Sequence, residues 1–306
     1  MKVSRMKVLV LGGNGFIGGQ IVAQLKVQGA EVLVGSRYAD NKVNTMQVRL
    51  EKMQQVQDWL PRLQGIDVVV NSVGILRERS TKNNRESYEA IHMQAPEGLA
   101  KACAEQGIRL IHISAIGLNM QAKSRFVRSK YLGEQAILNS GANAVIARVS
   151  LLDGQGGYGA KWFRRVAKWP LQFVMQSKGL IAPLQVTDLG EAIANLVMSN
   201  VETPRVIELG GTEIMSIPDY LRLLRARFGK SKAMQITVPK FLVRIISHIF
   251  DVLAWTPLSF GHFELMQGYN APAKNWLPEL LGRSPALIGA KTNALIDKPI
   301  FQPMAS

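Results

Sequence analysis

Cysteine and acidic residues are scarce in this chain. A single cysteine, Cys103, stands among 306 residues. That excludes an internal disulfide and a cysteine-rich metal site, and it fits a reducing compartment. Within Leu99-Ala-Lys-Ala-Cys-Ala-Glu105 it reads as a small buried helix residue. Acids number 22 against 37 lysines and arginines, for a net charge of +15. The deficit is local. Between Gly159 and Thr187 there are five basic residues (Lys161, Arg164, Arg165, Lys168, Lys178) and no acid. Between Leu221 and Phe250 there are seven (Arg222, Arg225, Arg227, Lys230, Lys232, Lys240, Arg244), again with no acid. Such stretches suit an anionic membrane surface, nucleic acid or an acidic protein; a solvated basic surface around a phosphate-binding cleft accounts for them as well. Long apolar runs are missing too. No stretch reaches about 18 uncharged apolar residues, so no transmembrane helix is expected. Phe241 to Trp255 comes nearest and is interrupted by Arg244, His248 and Asp251; it would suit a helix lying on a bilayer as well as one packed into a second lobe. Met1 to Met6 is basic but runs into a strand and a glycine turn, not a cleavable leader. His92, His112, His248 and His262 show no metal-ligand spacing, so no metal is expected. A cytoplasmic protein follows from these absences, with peripheral attachment to the inner face of a membrane left open.

The most informative stretch present is Lys7-Val-Leu-Val-Leu-Gly-Gly-Asn-Gly-Phe-Ile-Gly-Gly19. An apolar strand run, Val8 to Leu11, empties into Gly12, Gly15 and Gly18. A helical pattern follows through Phe16, Ile17, Ile21, Val22 and Leu25, with Gly29 as a stop. In that setting the glycines serve a tight turn, backbone approach to a pyrophosphate and close helix–strand packing. The helix start offers free N–H groups and partial positive charge to phosphates. Gly12, Asn14, Gly15, Phe16, Ile17 and Gly18 are therefore expected to hold a dinucleotide.

Hydrophobic residues at 47% and charged residues at 19% describe a folded globular chain, not a disordered one. Strand and helix patterns alternate through the first half, which predicts a doubly wound parallel-sheet α/β (Rossmann) fold. Val8–Leu11, Val32–Val34, Val68–Val70, Leu110–Ile113 and Val145–Ala147 read as buried strands. Helical windows lie near Phe16–Gln28, Lys52–Leu60, Tyr88–Gln106 and Arg125–Leu138. A further helix follows Leu184, capped by Thr187 or Asp188, and Val206 to Leu209 reads as one more strand. After about Thr212 the pattern turns mostly helical, with basic segments and a proline-punctuated tail (Pro272, Pro278, Pro285, Pro299, Pro303). The expected division is residues 1–155, with 184–212 returning to them, as the dinucleotide domain. Residues 156–183 and 213–306 form a smaller, mainly helical substrate- or partner-binding portion.

The spacing Gly12-x-x-Gly15-x-x-Gly18 resembles that of the extended and atypical short-chain dehydrogenase/reductase superfamily. Asp67-Val-Val-Val-Asn-Ser-Val-Gly74 looks like the strand whose end, with Val73 and Gly74, passes under the adenine and ribose. Ile111-His-Ile-Ser-Ala-Ile-Gly117 looks like the strand bearing the active-site serine, here Ser114. Arg128-Ser-Lys-Tyr-Leu-Gly-Glu134 looks like the active-site helix, with Lys130 as the ribose-binding lysine. One departure stands out. The family's proton-transferring tyrosine lies four residues before the lysine, and Phe126 occupies that position. A phenyl ring cannot do general acid–base work. Tyr131 follows the lysine by about 100° round the helix and is expected to face elsewhere. With the tyrosine missing, the chain resembles the group of the nucleotide-binding accessory subunit of mitochondrial complex I and its bacterial relatives. That resemblance implies a bound NADP(H) without a complete catalytic set, and a partner in a respiratory or quinone-related membrane complex.

The second strand ends Val32-Leu-Val-Gly-Ser-Arg37, with no acid for a ribose diol. Ser36 and Arg37 suit a 2′-phosphate, so NADP(H) is expected over NAD(H). His112 shares a sheet face with Ser114 and reads better as a satisfied structural histidine than as a base. Tyr158, Trp162, Phe163 and Trp169, with Lys161, Arg164 and Arg165, suit either an aromatic, cationic pocket mouth or the packing of a small second lobe. Three functions remain on these residues. The first is a protein with a structural or regulatory nucleotide. The second is an active reductase or epimerase with a non-standard acid/base. The third is a nucleotide-sensing regulator that binds nucleic acid or an acidic protein.

Overall fold

A computed structural model describes residues 5–38, 44–81, 84–175, 177–199, 201–239 and 260–288. The segment Phe241 to Trp255 and the tail prolines Pro299 and Pro303 lie outside the described residues.

Seven strands form the central sheet: β1 (Lys7–Leu11), β2 (Glu31–Ser36), β3 (Thr45–Gln47), β4 (Val68–Asn71), β5 (Arg109–Ala115), β6 (Ala144–Val149) and β7 (Val206–Leu209). Their order is β3-β2-β1-β4-β5-β6-β7 and every pairing is parallel. Val8 to Leu11 and Val68 to Val70 are buried on both faces. Helices cover both sides of such a sheet, and this is why its strands read as unbroken apolar runs. The connection reverses direction between β1 and β4, and this opens a crevice at the strands' carboxyl ends.

Helices α1 (Phe16–Val27) and α6 (Val186–Met198) cover one face, joined by α9 (Leu277–Leu281). Their buried side chains Ile21, Leu25, Leu189, Ile193, Leu277 and Leu280 share one core with Val8, Val10 and Ile111. The opposite face is covered by short turns around Leu50 and Trp59, by α3 (Ala95–Glu105) and by α4 (Arg125–Asn139). Cys103 is buried there, and burial pushes its thiol up to about 12. A smaller lobe contains α5 (Tyr158–Ala167), α7 (Ile217–Arg227) and a two-stranded parallel sheet of Leu171–Met175 and Met234–Val238. Phe163, Val166, Val174, Tyr220 and Leu224 form its core. One last helix, α8 (Phe260–Gln267), packs against α4.

Three expectations change. The cap of α6 is Gln185, not Thr187 or Asp188. Asp188 is instead buried in the first turn, where its carboxylate accepts from Arg283 Nη2 at 3.0 Å and from the Ala286 N–H at 2.6 Å. The region after Thr212 is less helical than its pattern suggests, because Met234–Val238 pairs as a strand. The window Tyr88–Gln106 is not one helix: Glu89–Gln94 forms a wider π-turn before α3 begins at Ala95.

That π-turn lies against Gly133 in α4, where a Cβ would collide with the His92 carbonyl oxygen. The collision partner is backbone and cannot rotate away. Gly133→Ala is therefore expected to lower the unfolding free energy by about 3 kcal/mol. Gly159→Ala, whose added Cβ meets nothing within 4 Å, should cause no loss beyond about 0.5 kcal/mol. Urea unfolding followed by circular dichroism measures both.

Candidate functional site

The turn from β1 into α1 is built on absent side chains. Gly12 has φ +74°, a left-handed conformation that disfavours side chains. A Cβ on Gly18 would strike the Gly12 carbonyl oxygen and lie 2.7 Å from Ser72 Oγ. Ser72 Oγ in turn donates to the Leu11 carbonyl at 2.7 Å, which ties the end of β4 to β1. Gly15 is the cap residue of α1. No side chain bonds to the first N–H groups, and the first turn carries no acid. Asn14 and Gly15 are exposed. The arrangement leaves a helix start open to an anionic ligand.

Ser36 and Arg37 stand at the end of β2, Val73 and Gly74 just beyond β4, Ser114 near the end of β5 and Lys130 in α4. All belong to the carboxyl edge of the sheet. Arg37 Nη1 already donates to Glu86 Oε1 at 2.7 Å. Glu86 is buried, and its other carboxylate oxygen has no partner among the described residues. The carboxylate missing from β2 is thus supplied beside Arg37 by a different part of the chain. Residue-by-residue reading of β2 had no signal for it.

Ser114 Oγ is buried without a hydrogen-bond partner among the described residues. Lys130 Nζ lies 3.6 Å from the Cβ that Gly74 lacks, and 6.0 Å from the centroid of the Phe126 ring. It makes no hydrogen bond or ion pair among the described residues. Burial lowers its pKa from the ordinary lysine value, against an opposing pull from Glu134. Glu134 itself is fully buried and is forked by Arg148 of β6, with Nη2 to Oε2 at 2.5 Å. This pair fixes α4 against the sheet.

Two neutral histidines frame the lysine. The Val73 N–H donates to Asn71 Oδ1 at 3.1 Å, which turns the Asn71 amide nitrogen toward His112 Nδ1 at 3.2 Å. Nδ1 must then accept, so the proton sits on Nε2. His92 has the opposite tautomer. Its Nε2 accepts from the Ile75 N–H at 3.1 Å, its Nδ1 donates to Ser129 Oγ at 3.0 Å, and Ser129 donates to the Phe126 carbonyl at 3.0 Å. Burial, with help from Lys130, lowers His112 to about 3; burial first and Lys130 second lower His92 well below its ordinary value.

Phe126 is buried, edge-on to His92 at 5.5 Å and to Tyr88 at 5.7 Å. A Cβ on Gly261 of α8 would lie 2.8 Å from its ring, so α8 closes over it. Glu264 of α8 accepts from the N–H groups of Lys123 and Ser124 at 2.7 and 2.8 Å, which holds the cover down. Tyr131 is partly buried against the cluster of Leu118, Ala122, Phe126 and Val127, the last of these one helical turn before it. The aromatic and basic residues after β6 divide between the second lobe's interior and its surface. Arg164 is forked onto buried Asp153 at 2.9 and 3.1 Å, and Phe163 packs edge-on to Tyr220 inside the second lobe. Tyr158, Lys161, Arg165 and Trp169 are exposed. Asn71, Glu86 and Ser129 complete the site and were not singled out from sequence. Only pairing across 41, 49 and 37 residues reveals them.

Residues 6–116 match the RmlD substrate binding domain family. Over 280 residues the chain is 28% identical to rat NADH dehydrogenase [ubiquinone] 1 alpha subcomplex subunit 9, mitochondrial, covering 83% of this chain and 70% of that one. It is 26% identical over 188 residues to dTDP-4-dehydrorhamnose reductase of Mycobacterium tuberculosis, covering 55% and 58%. Among solved structures it superposes on UDP-glucuronic acid 4-epimerase of Bacillus cereus in complex with UDP-glucuronic acid and NAD. There the TM-score is 0.65 and the identity 19%, over 93% of this chain and 95% of that one. The chain is related to the complex I subunit and to the reductase, and its fold is the parallel-sheet Rossmann α/β fold of the epimerase.

The buried neutral histidines make stability acid-sensitive. In the unfolded chain each takes a proton near pH 6.5, whereas folded His112 resists protonation until about pH 3. Its contribution is complete above pH 6.5 and is lost as pH falls from there toward 3. His112→Asn, which keeps a side-chain acceptor near Asn71, is expected to remove one proton from that dependence, about 1.4 kcal/mol per pH unit. Urea midpoints measured between pH 7 and pH 4 (about the span of the histidine transition) would show a shallower acid slope in the variant.

Proposed function

We propose that this protein binds NADP(H) as a structural or regulatory nucleotide and acts as a peripheral component of a respiratory or quinone-related membrane complex. The observation that carries this reading is Phe126. At the position of the family's proton-transferring tyrosine it offers no ionisable group, and α8 and the Tyr88–His92 stack bury its ring. The relatedness to the mitochondrial complex I subunit supports the membrane-complex partner.

The residues present fit the nucleotide. The Gly12–Gly18 turn and the uncapped start of α1 would take the pyrophosphate, and Val73 and Gly74 would line the adenine side. Lys130 Nζ and Ser114 Oγ, both without a hydrogen-bond partner among the described residues, would bond the ribose and the nicotinamide end. Arg37, with Ser36, would receive a 2′-phosphate, exchanging the Glu86 carboxylate for it. When bound, the nicotinamide supplies hydride chemistry, but no residue at position 126 can donate or accept the accompanying proton. Neutral His92 is committed through both ring nitrogens to Ile75 and Ser129, and His112 Nδ1 to Asn71. They position the cofactor loop and α4; neither is aimed as a base.

A second reading, an active reductase or epimerase with an unusual proton source, draws support from the orphaned Ser114 Oγ and Lys130 Nζ. Single-turnover measurements separate the two. Protein carrying NADPH that is not oxidised by carbonyl or quinone substrates supports the structural role, and stoichiometric oxidation supports the second. In the first case Lys130→Ala is expected to weaken nucleotide binding roughly tenfold to a hundredfold, with a matching loss of thermal stability. Arg37→Asp should lower affinity for NADP(H) by a similar factor and reverse the preference toward NAD(H), read by calorimetry. Equal affinity of the parent protein for both dinucleotides would rule out the 2′-phosphate assignment.

A further inference from the structure

We propose that the outer face of the small parallel sheet, Leu171–Met175 with Met234–Val238, is the surface by which this protein docks on an anionic lipid bilayer. It refines the peripheral-membrane part of the reading above by naming the surface and its partner. The two strands pair Leu171 with Met234, Phe173 with Ile236, and Met175 with Val238. Alternation along a strand sends these six side chains to one face. The opposite face points inward at Gln172, Val174 and Gln235, while Thr237 at its far end is exposed. Gln172 and Val174 are buried, and Gln235 Nε2 donates to Gln172 Oε1 and to the Pro218 carbonyl, both at 3.1 Å. The outer face is apolar and open: Phe173 is 62% exposed and Met234 68%, with Leu171 and Ile236 also exposed. Trp169 and Phe228 are exposed beside its leading end. Single exposed apolar residues are ordinary, but Leu171, Phe173, Met234 and Ile236, paired across the two strands and continued by half-buried Met175 and Val238, form a contiguous patch, which marks an interaction site.

The charge at the edge of the patch identifies the partner. The Met234 N–H donates to the Pro170 carbonyl at 2.9 Å, so the chain before the second strand lies beside the chain before the first. Buried Arg225 strengthens that junction by donating to the Ala167 and Trp169 carbonyls at 3.1 and 2.9 Å. Exposed basic residues gather there: Lys168, whose Nζ stands 4.7 Å over the Phe228 ring, with Arg227, Lys230 and Lys232. No acid occurs anywhere in residues 154–187 or 220–239. Apart from Met175 Sδ, which already accepts from Gln267 Nε2 at 3.1 Å, the face offers no side-chain hydrogen-bonding group, whereas a protein interface makes about one hydrogen bond per 100–200 Å². A bilayer interface asks only for apolar depth and positive charge at headgroup level. Lysine stems can lie along the apolar patch while their ammonium groups reach the phosphates.

Full-length protein is expected to float with vesicles rich in phosphatidylglycerol at low salt, less so at high salt, and weakly with phosphatidylcholine alone. The paired change Phe173→Ser with Ile236→Ser should lower the partition at least about tenfold. Lys168→Glu, Lys230→Glu and Lys232→Glu should each lower it about fivefold or more. Because these positions are exposed, melting temperature and bound-nucleotide content should match the parent. A second readout uses the single, buried Cys103: in Phe173→Cys the new thiol is the reactive one, and an environment-sensitive dye on it should shift to the blue when anionic vesicles are added. Absence of flotation at low salt, partition unchanged by the paired serine variant, or a dye that stays in water would each overturn the proposal. The face would then belong to a protein partner or to residues 240–259 of the chain itself. None of these failures touches the nucleotide reading, because nucleotide content is measured on the same preparations.

Discussion

The start of α1 can rest over the end of β1 only because position 18 has no side chain. Any Cβ there would occupy the space of the Gly12 carbonyl oxygen and crowd Ser72. From that one approach the rest follows in order. The helix axis is aimed at the carboxyl edge of the sheet, so its unpaired N–H groups open into the crevice where the strand order reverses. Ser72, held by the Leu11 carbonyl, locks β4 into the same geometry. The loops beyond β2, β4 and β5 then arrive around a common opening. Backbone, not side-chain chemistry, builds the most distinctive part of the site.

Around that backbone frame the polar groups divide into two kinds. Some are saturated by the protein itself: His92 between Ile75 and Ser129, His112 on Asn71, Glu134 forked by Arg148. Others are left open, above all Ser114 Oγ and Lys130 Nζ. Buried polar groups are normally satisfied, so open ones in a cleft mark where a ligand completes the network. Phe126, by contrast, is sealed by aromatic packing and by α8. Open polar groups and a closed aromatic wall thus stand side by side in one crevice.

The parts legible in the sequence were those whose cause is local. The strands β1, β2, β4, β5 and β6 are unbroken apolar runs because both sheet faces are covered, and the glycine turn carries its own spacing. The edge strand Thr45–Gln47 is half exposed and has no such run. The Leu171–Met175 and Met234–Val238 strands alternate weakly and sit among basic residues, so the latter read as part of a helical stretch. Asp188 has the identity of a helix cap, but its partners lie far downstream and its role is decided there. Glu86 beside Arg37 is the clearest case: the carboxylate that pairs with Arg37 comes from an element 49 residues away.

The Asp188 carboxylate also says something about how the chain must be made. Its N–H partner lies 98 residues further on, and α9, which completes the core over α6, begins only at Leu277. During synthesis, the helix that closes one side of the sheet therefore waits with a bare acid and an uncovered apolar flank until Leu277 to Ala286 have emerged. Folding dominated by such distant pairings is slow and leaves sticky surface exposed in the interval. The sheet is encoded early but capped only by residues made about a hundred positions later.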